Sequence, residues 1–161
     1  MRSVGCTFII LKFFLVLKTF SQESYPPEIA AFEGKIDSAV FHGVLDAKNA
    51  FVHGLDSARN LFESVSALAE GKSDLFGLAW CECHLCYVDG LLVDYSMATS
   101  RLQRILEDYD FASKNDPKLE SDIRARTAAT LAKIKTQSGL ISEAMSHLVM
   151  ASSLYLEDEY I

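Results

Sequence analysis

From Ile29 to Ala69, apolar residues return every three or four positions, at Ile29, Phe32, Ile36, Val40, Val44, Ala47, Phe51, Leu55, Ala58, Phe62, Val65 and Ala69. That step matches the period of an α-helix and lays one apolar stripe along a rod, which must be buried against something else. A strand cannot use such a pattern, because its side chains alternate with a period of two. Gly34, Gly43 and Gly54 lie inside the stripe, so a bend or a division into two helices is expected there, at no position that the pattern sets. Pro27 and Glu28 suit the first turn, where proline forfeits only an orphan N–H and an acid meets the positive end of the helix dipole.

The rest of the chain repeats this logic. Gly71-Lys72-Ser73 reads as a stop followed by a cap, with Ser73 as N-cap and Asp74 in the first turn of a second long helix, from about Asp74 to Ser113. Its stripe is Leu91, Tyr95, Ala98, Leu102, Ile105 and Tyr109. Asp116 and Pro117 cap and open a third helix carrying Ile123, Ala128, Leu131 and Ile134, and Gly139 can close it in the left-handed conformation. The last helix carries Ile141, Met145, Leu148, Ser152 and Tyr155. With only three prolines and eight scattered glycines in 161 residues, half of them apolar, the expectation is an all-α single domain. An antiparallel up-and-down bundle of about four core helices is its default form, with Tyr95, Leu102, Leu131 and Leu148 facing one core.

Residues 1–21 are a separate compositional unit. Arg2 precedes the apolar runs Thr7 to Leu11 and Phe13 to Leu17, and Thr19-Phe20-Ser21 offers the small residues of a cleavage site. The segment is short for a spanning helix and reads as a signal peptide, although Lys12 and Lys18 interrupt it. The domain is then residues 22–161, secreted and extracellular, with no stable membrane insertion after cleavage. Loss of Arg2, Lys12 and Lys18 takes the formal charge from −7 to −10, and the acidic body has no basic stripe, which argues against nucleic-acid binding. Asn49, Asn60 and Asn115 form no glycosylation sequon.

Two local features invite chemistry. Cys81, Cys83, His84 and Cys86 are ligand types that zinc favours, but on one helix Cys81 and Cys83 point about 160° apart, and no second ligand pair follows elsewhere. These three thiols are odd in number. Cys83 and Cys86, one turn apart, could form a disulfide if the helix is distorted; free core thiols are the other ordinary outcome. The second feature is an eleven-residue repeat, Val40-Phe41-His42-Gly43-Val44 against Phe51-Val52-His53-Gly54-Leu55. Eleven residues make three helical turns, so the copies would share one face of a continuous rod, as in lipid-surface helices or in a core stripe that happens to recur. His42, His53, His84 and His147 form no catalytic spacing, no Gly-rich phosphate loop occurs, and neither enzyme activity nor a cofactor is expected.

Two stretches resemble the plant invertase and pectin methylesterase inhibitor family. Leu91, Tyr95, Ala98 and Leu102 fall at the spacing of its Cys-x-x-x-Tyr-x-x-Ala-x-x-x-Leu helix. Thr127-Ala128-Ala129 stands where the family has Ser-Ala-Ala, and Lys135-Thr136-Gln137-Ser138-Gly139-Leu140 stands where it has Thr-Cys-x-Asp-Gly-Phe. The family's paired cysteines are Leu91 and Thr136 here, so the disulfide that ties those helices has no counterpart. The resemblance implies a secreted four-helix bundle that inhibits a cell-wall carbohydrate enzyme in the apoplast by docking helix faces on it. The reading from residues alone is a secreted non-catalytic protein-binding module, with a lipid-surface or lipid-carrying helical protein as the alternative.

Overall fold

The computed structural model describes residues 32–111 and 116–158, with side chains through Tyr155. Among them are six α-helices, α1 (Ser38–Asn49), α2 (Leu55–Gly71), α3 (Leu75–Leu91), α4 (Tyr95–Glu107), α5 (Pro117–Gln137) and α6 (Ile141–Asp158), with one 3₁₀ turn at Ala50–His53 and no strand. The all-α expectation holds, while the proposed signal peptide and Pro27-Glu28 lie outside the described residues. Helices adjacent in sequence pack on each other, and α3 touches α1, α2, α4 and α5.

Paired contacts give the directions. Ser66 meets Glu82 and Arg59 meets Asp89, so α3 runs back along α2. Ser121 bonds Leu154 and Lys135 meets Glu143, so α6 runs back along α5. Cys83 faces Thr127, and Gly90 lies against Ile134 and Gln137, which makes α3 and α5 parallel neighbours. A Cβ at Gly90 would come within 3.2 Å of the Ile134 side chain, so glycine permits this close approach.

Both long helices expected from periodicity are divided. Gly54, at φ 123°, and the 3₁₀ turn end the first rod, so the two copies of the eleven-residue repeat are not on one helix. Phe41 is buried while its counterpart Val52 is exposed. The second rod breaks between Leu91 and Tyr95 without any glycine or proline at the break. Here the N–H of Val93 donates to Gly90 and that of Asp94 to Asp89, while Val93 takes φ 66°, completing a Schellman cap. The Asp94 carboxylate then accepts from Met97 N and starts α4.

The same device recurs twice. Ser73 at φ 54° links α2 to α3, and Gly139 at φ 82° links α5 to α6. Ser73 is therefore the left-handed residue rather than the N-cap, and Asp74 caps α3 by accepting from Gly77 N. Asp116 and Pro117 open α5 as expected, and Gly139 closes it.

Helix α3 is the axis of the core. All but two of its residues from Phe76 to Gly90, His84 and Tyr87, are buried, because neighbours surround it. Phe32 stacks on Trp80 at 4.7 Å between ring centroids, and Phe76 stacks on Phe111 at 5.2 Å. Leu102 and Leu131 are fully buried, whereas Tyr95 and Leu148 are only half-buried, so the four-residue core set is met in part. Arg124 donates to the carbonyls of Leu106 and Tyr109, fastening the end of α4 to α5.

Candidate functional site: a charge-lined cleft over a sealed helix

The residues that promised chemistry are spread around α3 and turn into its packing. The Cys81 thiol donates to the Phe62 carbonyl at 3.1 Å, and Cys83 shares a 3.2 Å hydrogen bond with the Thr127 hydroxyl. Cys81, Cys83 and Cys86 are free and buried, so no bond joins Cys83 to Cys86. Burial pushes the Cys83 thiol up to about 11, against which the Thr127 bond pulls only partly, and burial raises Cys81 and Cys86 as well. A thiol so raised is protonated at neutral pH and is a poor nucleophile or metal ligand.

His84 stacks on Phe62 at 5.6 Å and meets the edge of Trp80. Burial pushes it down to about 3, with Lys48 and Arg126 adding to the effect, so the ring is neutral. Among the described residues no group of three or more His, Cys, Asp or Glu side chains is placed to hold a metal ion. Nor is any described helix long and apolar enough to cross a membrane.

The charged groups that do converge were not singled out by the sequence. Glu82 and Asp89, seven residues apart on the most buried helix, lie on one side of it, and each meets an arginine from a flanking helix. Glu82 accepts from Ser66 Oγ at 2.6 Å and from Arg101 Nη1 at 3.3 and 3.1 Å through its two oxygens. This acid is satisfied. Asp89 is fully buried, with Arg59 Nε 3.1 Å from Oδ1, yet the geometry makes no hydrogen bond and charge alone holds the pair. Burial raises the Asp89 carboxyl above its ordinary range, opposed by Arg59. The readable signal was an acid inside an otherwise apolar run, since a buried carboxylate requires a partner.

Above Glu82 an open cleft of about 420 Å³ separates α2 from α4. Glu63, Ser66, Ala67 and Glu70 form the α2 wall, and Met97, Arg101 and Arg104 form the α4 wall. One wall is acidic and the other basic. Such a surface recognises charge placed in space.

The family-like positions are distributed over three helices. Leu91 ends α3, whereas Tyr95, Ala98 and Leu102 lie on α4, so the turn at Leu92–Asp94 crosses the stretch that resembles one family helix. Thr127 and Ala128 are buried on α5, Ala129 is half-buried, and Thr136 stands in its last turn. Leu91 and Thr136 lie at the same end of the parallel pair α3 and α5. Comparison with family models, curated proteins and solved structures finds no match to this chain.

Proposed function

We propose that this chain is a secreted, non-catalytic binding module that docks on another protein, and that its concrete form is an inhibitor of an extracellular carbohydrate-active enzyme of the pectin methylesterase or invertase type. One observation carries the docking reading: the thiols and the imidazole are locked into α3, while the open surface beside them has one acidic and one basic wall. Opposed walls of this kind select a partner by register and sign of charge, which is the work of an interface. The carbohydrate-enzyme target rests on the resemblance around Leu91 to Leu102 and Thr127 to Gly139. Secretion rests on residues 1–21, and the up-and-down antiparallel bundle of the family belongs to the same proposal.

Titration of a pectin methylesterase and of an invertase with the secreted protein tests it. The expected result is near-stoichiometric loss of one activity, weakened at least about tenfold by the double reversal Glu70→Lys with Arg104→Glu at the cleft rim. Unchanged inhibition by that variant would move docking away from the cleft. Full activity of both enzymes at excess protein would end the inhibitor reading.

A further inference from the structure

The two ends of the helix array differ. At one end, α1 turns Ser38, His42, Asp46 and Asn49 to solvent, a polar face that closes the stack. At the other end, α6 packs extensively, among the described residues, on α5 alone, burying Ala144 and Ala151, while Ile141, Met145 and Val149 stand 53%, 36% and 66% exposed. An array normally ends in polar caps, and α6 lacks one.

We propose that the outer face of α6 pairs with the same face of a second copy, giving a two-fold symmetric dimer. Three observations select that occupant. First, Ile141, Met145 and Val149 recur every four residues as a ridge, and Ser142 and Ser146 form a shallow row beside it. A ridge at that spacing fits the shallow row of an identical helix crossing it, so the face is complementary to itself.

Second, two hydroxyls on this side of the helix are already satisfied within it. The Ser146 hydroxyl donates to Ser142 O at 3.3 Å and the Ser153 hydroxyl to Val149 O at 2.8 Å, both within the helix. Third, from Ala144 to Leu156 the sequence has no Asp, Glu, Lys or Arg, and Glu143 is neutralised by Lys135 at 2.7 Å. A chain of net charge −7 repels its copies elsewhere, but two α6 faces meet without opposed like charges. Because the same face of both copies is used up in a two-fold contact, association closes at two copies and does not grow into a filament.

Sedimentation velocity of the full chain from about 1 to 200 µM tests the proposal, a range suited to a small interface. The expected result is a shift from monomer to dimer across that range, with Val149→Glu weakening association at least about tenfold and His42→Glu on the α1 face leaving it unchanged. Met145→Ser, which keeps charge constant, should weaken it in the same direction, and helical circular dichroism must persist in each variant. A monomer at every concentration, or a dimer that ignores both α6 substitutions, would overturn the proposal. So would a monomer that co-sediments with phosphatidylcholine vesicles and loses them on Val149→Glu, an outcome that assigns the face to lipid.

Discussion

Helices α3 and α6, seventeen and eighteen residues long, both carry apolar side chains around their circumference, but among the described residues four helices cover α3 while α6 packs extensively on α5 alone. An apolar circumference is thus a statement about neighbours, and only packing tells whether those neighbours come from the same chain. In α3 the polar residues are the exceptional ones: Glu82 and Asp89 exist inside only because α2 and α4 supply Arg59, Ser66 and Arg101. In α6 the apolar residues on the outer face are exceptional, and the Ser146 and Ser153 hydroxyls beside them are turned back on their own helix.

The sharpest break between the two helices should come from truncation. Leu85→Ala in α3, fully buried, should cost about 2–5 kcal/mol in a denaturant titration, the transfer loss plus an unfilled cavity. Val149→Ala in α6 should cost under about 0.5 kcal/mol at concentrations where the chain is monomeric. A large cost at Val149 would mean that this chain itself covers the outer face.

Next in size is the Glu82 network. Arg101→Ala leaves a buried carboxylate held by Ser66 alone and should cost about 2–3 kcal/mol, discounted because Arg101 borders the open cleft. Replacing both members, Glu82→Leu with Arg101→Leu, should recover most of that loss. If the double variant is as unstable as the single one, the pair is not what the cost measures.

His84 gives a pH dependence whose sign follows from its depressed basicity. The folded ring titrates near about 3 and the unfolded one near 6.5, so between these values the unfolded chain binds the extra proton. Stability is fully present above about 6.5 and falls as pH drops toward 3, with a slope approaching about 1.4 kcal/mol per pH unit. Comparison of urea midpoints at pH 7 and 5 should show this slope in the wild type, and His84→Phe should flatten it.

The smallest effect sits at the α3–α4 turn. Val93 is a β-branched, 66% exposed residue at φ 66°, a conformation that costs it about 1–2 kcal/mol. Val93→Gly relieves that strain but enlarges the unfolded ensemble, so a net gain of about 0.5–1 kcal/mol is expected in thermal melts. A loss would show that the exposed isopropyl group has a partner.

Much of the fold was legible because amphipathic periodicity and caps are local. Asp116, Pro117 and Gly139 mark their boundaries with residue types whose backbone preferences leave little choice. The break at Leu92–Asp94 was invisible, since a hydrogen-bonded turn imposes the left-handed conformation on a valine that would not choose it. A break in the first rod was expected from its glycines, but its place at Ala50–His53 was hidden, because the stripe continues in register across it. Cysteines and a histidine drew attention to Cys81–Cys86 by type alone, whereas Glu82 acquired its meaning only when Ser66 and Arg101, sixteen and nineteen residues away, were brought beside it.

Helix α3 is a sealed core element whose thiols take part in its packing. Native-state alkylation, read out by peptide mass spectrometry at Cys81, Cys83 and Cys86, tests this most directly. All three should stay unlabelled at neutral pH while the chain is folded and should label promptly once guanidinium unfolds it. Rapid native labelling of any one of them would contradict it, because a reactive thiol on α3 requires an open path and a lowered pKa that the packing described here does not provide.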